Sequence, residues 1–176
     1  MKIASVTRST ALAVGLVLVT SAAPHRAAAA DPAPQRAEQH CVVVLDKLQP
    51  GATSSRVVSR RCADSPEAAQ LSSAADVAPQ ATTLLLVLYQ DLNYGGPSTR
   101  IEGSAGPCDT AGYGFSNLGS WRNRISSFKR FNWCQRVQGF DAVNYGGGSL
   151  GVWTADTSWV GASANDRIDS ILTRRL

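Results

Sequence analysis

The chain is poor in the residues that carry most protein chemistry. Its 176 residues include two histidines, one methionine and four cysteines, and aromatic residues make up 7%. No G-x-S-x-G, H-E-x-x-H or phosphate-binding loop occurs, and no motif pairs two carboxylates as an acid/base couple. The pattern therefore reads as non-enzymatic, with no catalytic residue to nominate. No C-x2-C spacing exists, and beyond residue 30 the one histidine is His40, which argues against a zinc site. No apolar run reaches membrane length. The longest candidate, "ALAVGLVLV" at 11–19, is too short to span a bilayer.

Runs of like charge are missing too. The net charge of +4 owes much to Lys2, Arg8 and Arg26, which lie in the first 30 residues without any acid. With those three set aside, 14 basic residues face 13 acidic ones. The remaining arginines are scattered, and "SRR" (59–61) and "TRR" (173–175) read as solvated ends, so neither a nucleic-acid footprint nor a membrane surface is expected.

What is present begins with a leader. A positive start, the run at 11–19 and "AAAA" at 27–30 predict a secretory signal peptide over 1–30, with the mature secreted chain beginning near Asp31. In an oxidising compartment four cysteines imply two disulfides among Cys41, Cys62, Cys108 and Cys134. Three pairings are open, and locality favours Cys41–Cys62 with Cys108–Cys134. Residues 31–40 read as a frayed start. "CVVVLDKLQPGATSSRVVSRRC" (41–62) reads as two β-rich runs about a Pro50-Gly51 turn, a stapled hairpin too small for its own core. Residues 63–82 read as a linker, with a short helix capped by Ser65 as the alternative.

From Thr83 to Leu176 short strand-like runs alternate with glycine-rich turns, which predicts an all-β sandwich. Within it a phrase is written twice. "YQDLNYGG" from Tyr89 and "FDAVNYGG" from Phe140 lie 51 residues apart, and "RNRISSF" (122–128) matches "NDRIDSI" (165–171) at an offset of 43. An insertion of eight residues in the first copy, around Cys108, accounts for the difference. The physical reading is a folded hairpin in each copy. Gly96 and Gly147 permit a backbone that a side chain would obstruct. Tyr89 and Phe140 cover the fold, and Ser127 and Ser170 satisfy its bent backbone. The four tryptophans, Trp121, Trp133, Trp153 and Trp159, are expected in the core or on a sheet face.

Aromatic, six residues, glycine and a later serine, present twice, resemble the Greek-key signature of the βγ-crystallins. The resemblance covers 83–176 and implies two four-stranded Greek keys forming two packed sheets, in a monomer. It also implies calcium, because microbial members often bind it through [N/D]-[N/D]-x-x-[S/T]-S. Carried over by position, site one would use Ser126, the carbonyls of Arg124 and Gln90, and a side chain from Asn165 or Asp166. Site two would use Asp169, the carbonyls of Arg167 and Asp141, and a side chain at Arg122 or Asn123. Arg122 departs from the pattern, since a guanidinium repels a divalent cation. Asp169 departs as well, replacing the hydroxyl with a carboxylate that could compensate or could pair with an arginine. The resemblance leaves a second function open, a protein-binding effector such as a metallopeptidase inhibitor or killer-toxin-like protein, whose partner would be a secreted protease. The inhibitors usually carry cysteines near the first signature strand, and none lies here between Cys62 and Cys108.

Overall fold

The run "HCVVVL" is β-branched and continuous, and "VVSRRCA" repeats the composition after a polar, glycine-containing loop. In the computed structural model, which describes residues 40–76 and 81–176, these become strand β1 (His40–Leu45) and strand β2 (Val57–Ala63). The expected signal peptide lies outside the described residues, as does nearly all of the frayed start. The two strands pair antiparallel with Cys41 opposite Cys62, and a disulfide joins that pair. The turn closes with Ala52 N–H donating to the Gln49 carbonyl at 2.9 Å, and Gly51 takes φ +80°.

The stretch expected as a linker is helical over α1 (Pro66–Asp76). Ser65 caps it, its hydroxyl accepting from Ala68 N–H at 3.1 Å, and Pro66 supplies the fixed φ suited to a first helical residue. The helix packs on β1 and β2, with Ala69 fully buried.

Seven further strands follow: β3 (Thr83–Tyr89), β4 (Ser98–Gly103), β5 (Tyr113–Phe115), β6 (Ser127–Arg130), β7 (Arg136–Phe140), β8 (Ser149–Trp153) and β9 (Ser170–Arg174). They form a five-stranded sheet ordered β2-β1-β4-β3-β6 and a four-stranded sheet ordered β5-β9-β7-β8. The core between the sheets holds Leu85, Leu88, Phe128 and Trp121 with Tyr113, Val137 and Ile171.

Two features differ from the sequence reading. The first is the hairpin's place. Strand β1 runs parallel to β4 and hydrogen-bonds to it from Cys41↔Thr99 to Leu45↔Gly103, so the extension lengthens a sheet. Its Cys41, Val43 and Leu45 belong to the common core. The second is the expectation of two four-stranded Greek keys. The second key forms β7, β8 and β9, and its remaining strand shrinks to one bridge between Thr157 and Phe128. Residues 155–169 are spent on turns, which leaves no length for a strand there.

The keys exchange elements across the sandwich. Strand β5, from the first key, pairs with β9 of the second, while Thr157 of the second bridges β6 of the first. Each sheet is therefore completed by the other repeat. The second disulfide, Cys108–Cys134, ties the insertion before β5 to the turn between β6 and β7.

The tryptophan expectation is corrected for two of four. Trp121 is buried, and Trp153 packs edge-on against Phe128 with centroids 5.6 Å apart. Trp133 and Trp159 are 57% and 53% exposed. Trp133 sits in a turn at φ +65° that aims its ring outward, where the Arg175 guanidinium stacks on it at 4.9 Å.

Candidate functional site

The folded hairpins come first, because they position the loops. In the first, Asn93 and Tyr94 have φ of 56° and 65° and Gly96 has φ +70°; in the second, Asn144, Tyr145 and Gly147 have 55°, 61° and +69°. A left-handed conformation at two consecutive non-glycine residues is costly, so something must hold each hairpin. The serines do. Ser127 Oγ donates to the Asp91 carbonyl at 2.6 Å and accepts from Tyr94 N–H at 3.0 Å. Ser170 Oγ donates to the Ala142 carbonyl at 2.7 Å and accepts from Tyr145 N–H at 3.1 Å. Both serines are fully buried. The signature aromatic closes each fold edge-on, Tyr89 against Tyr94 at 5.8 Å and Phe140 against Tyr145 at 5.5 Å. Each hairpin tip also reaches the other key, since Asn93 N–H donates to the Ser158 carbonyl at 2.9 Å and Asn144 N–H to the Ser116 carbonyl at 2.8 Å.

These paired hairpins, with an exchanged strand between them, decide the architecture. Residues 83–176 have the βγ-crystallin fold.

Among solved structures the crystallin-type domain is similar to a betagamma-crystallin domain from Clostridium beijerinckii, with 24% identity over 51% of this chain and 97% of that one, at a TM-score of 0.40. It is also similar to one from Flavobacterium johnsoniae, with 25% identity over 52% of this chain and 94% of that one, TM-score 0.39. A betagamma-crystallin from an Archaea matches with 19% identity over 52% of this chain and 98% of that one, TM-score 0.39. No protein-family model matches the chain, and no curated protein sequence matches it.

Between the keys lie two loop pairs related by the repeat. Asn123 and Asp166 take matching φ of 56° and 54°. Asn123 N–H donates to the Ile168 carbonyl and Asp166 N–H to the Ile125 carbonyl, both at 3.2 Å. The predicted site residues therefore come together as two facing loops.

The first pair is open. Gln90, Arg124, Ser126, Asn165 and Asp166 line one cleft, with Asp91, Asn123 and the exposed Leu92 and Trp159 around it. Ser126 is buried, and its hydroxyl faces Asp166 Oδ1 at 3.5 Å, the outer limit of a hydrogen bond. Asn165 Nδ2 donates to Asp166 Oδ2 at 2.7 Å, while Asn165 Oδ1 is buried with no hydrogen-bond partner. Among the described residues no hydrogen bond reaches the Gln90 or Arg124 carbonyl. The Arg124 guanidinium is held by the Gln90 side chain and lies over the Trp121 ring at 5.2 Å. A hydroxyl, a carboxylate, an amide oxygen and two free carbonyls make a hard-oxygen set of the type calcium takes. Among the described residues no three histidines, cysteines or acids cluster as a metal site.

The second pair is closed. Arg122 Nη2 meets Asp169 Oδ2 at 2.5 Å, and the Asp169 side chain is 4% exposed. The hydrogen bond and charge of Asp169 raise the Arg122 pKa further above its ordinary value, so the guanidinium stays charged. Arg167 Nη2 meets Asp141 Oδ2 at 2.7 Å, the counterpart of Arg124 on Gln90. Asp169 and Asp141 are each engaged by an arginine through Oδ2, while Asp169 Oδ1 is buried without a hydrogen-bond partner. Asn123 lines the first cleft. Sequence position alone could not show this, because it names which residues share a loop without saying which ones touch.

Proposed function

We propose that this is a secreted, non-enzymatic protein whose crystallin-type domain binds one calcium ion at the first loop pair, and that the ion serves stability. The observation carrying this reading is the oxygen set that lines an open cleft there: the buried, unpartnered Asn165 Oδ1 beside the facing Ser126 hydroxyl and Asp166 carboxylate. A buried acceptor without a partner costs roughly 1–3 kcal/mol, and a cation is the ligand that satisfies several such oxygens at once. Asp166 and Asp91 are the carboxylates of the cleft, and Arg124, turned onto the neutral Gln90 side chain, offsets part of their charge. So few formal charges suit affinity at the weak end for calcium, Kd about 10⁻⁴–10⁻³ M. The second loop pair needs no metal on this reading, because Arg122 already neutralises Asp169.

The test is thermal unfolding of the disulfide-intact protein in EDTA and in millimolar calcium. Calcium at about ten times Kd adds ~1.4 kcal/mol by mass action, which raises Tm by several degrees. Calorimetric titration should show one site per chain. An unchanged Tm and no binding heat would mean that the loops only terminate strands.

A further inference from the structure

We infer that the N-terminal extension and the outer face of the second sheet together form a binding site for a small amphipathic carboxylate. The site rests on residues separate from the calcium loops.

The extension's loop lies against the crystallin-type domain and is fixed there. Leu48 N–H donates to the Gly112 carbonyl at 3.2 Å and Ser55 N–H to the Gly114 carbonyl at 2.8 Å. Gly114 N–H returns a bond to Ser55 Oγ at 3.1 Å, and Lys47 Nζ meets Asp109 Oδ2 at 3.0 Å. Beneath this loop is a cleft of about 330 Å³. That volume is at the small end of ligand pockets, which run roughly 300–1,000 Å³. Leu48 and Thr53 of the loop, Leu172 of β9, Tyr113 and Tyr145 line the cleft. The lining is predominantly apolar, as pockets for small organic molecules are.

The polar end is defined by an unusual cross-strand pair. Arg136 of β7 stands directly opposite Arg174 of β9, and both line the cleft. Like charges directly opposed across a sheet destabilise it. Neither guanidinium has an acidic partner among the described residues; Arg136 makes one long contact, 3.4 Å to Gln138 Oε1. Two unneutralised guanidiniums beside an apolar cavity suit one carboxylate attached to an apolar body, bound through charge-assisted hydrogen bonds. Leu172 and the tyrosine rings suit an aromatic or branched body.

Two-dimensional NMR of the disulfide-intact protein tests this with benzoate and isovalerate as probes, benzamide as the uncharged isostere and acetate as the bare carboxylate. The expected result is saturable shifts of the Ala111, Leu172 and Arg174 amides with benzoate or isovalerate. Benzamide and acetate should bind at least about tenfold more weakly, as expected when a charge-assisted pair or the apolar body is removed. Arg136→Gln and, separately, Arg174→Gln should each weaken benzoate by about tenfold or more, with the remaining amide spectrum unmoved. If neither carboxylate gives saturable shifts, the proposal fails. Benzamide matching benzoate would overturn the role of the arginines, and acetate matching it would overturn the role of the cleft. Should one arginine variant fail to fold, the other variant and the probe series still decide.

Discussion

At the scale of single residues, the repeat makes each position its own control. Ser126 and Asp169 are equivalent, yet the first faces an open cleft and the second a guanidinium. Ser126→Arg should abolish the calcium-dependent rise in Tm while the EDTA melt stays folded, read by the same pair of melts. Arg122→Asn should act in the opposite direction. It leaves the buried Asp169 carboxylate without its arginine, so the protein in EDTA should melt lower than the unsubstituted chain. It also frees the second loop pair, and calorimetry should then count two calcium ions per chain. The hairpin serines offer a third test. Ser127→Ala strands Tyr94 N–H and the Asp91 carbonyl, an expected loss of about 1–3 kcal/mol in urea unfolding.

Among elements, the contact between the extension's loop and the Greek keys includes polar bonds and two carboxylates held below their ordinary pKa. Asp46 is held below the usual carboxylate range by the Ser104 hydroxyl and then by Arg56. Asp109 is held below it by Gly112 N–H and by Lys47. A depressed folded pKa contributes stability above the unfolded value of about 3.9 and loses it as pH falls through the folded one. The loop should therefore loosen below about pH 4, within the range where these carboxylates take up protons. Hydrogen exchange should show the Leu48 and Ser55 amides opening before those of β7 and β9. Equal loss across all of them would contradict a locally anchored loop.

For the whole molecule, the extension is a structural part of the sandwich. Strand β1 is buried from Cys41 to Leu45, because α1 covers one face and the core takes the other. Removing residues 31–82 would leave β4 as a sheet edge and uncover core around Ile101. An exposed apolar edge invites pairing with another chain. The isolated 83–176 segment should melt lower than the full protein and self-associate, as light scattering would register.

The sequence by itself determined the elements whose signals are local. The β-branched run at 41–45 is an example; 63–82 reads first as a linker, and its packing on β1 and β2 makes part of it α1. The doubled aromatic, glycine and serine pattern is another, because a left-handed turn at Gly96 or Gly147 leaves its mark in residue type. Locality also favoured the two disulfides that formed. Tertiary structure decided what depends on contacts distant along the chain. The parallel seat of β1 on β4 joins residues about 58 positions apart, and nothing in either strand's composition names its partner. The facing of Ser126 to Asp166 was legible in outline, whereas the capture of Asp169 by Arg122 needed their distance. Arg136 and Arg174 looked like scattered surface charge until strand register set them side by side. Period and turn chemistry act between neighbours and are written in order along the chain; register and charge pairing act through space and exist once the sheets have closed.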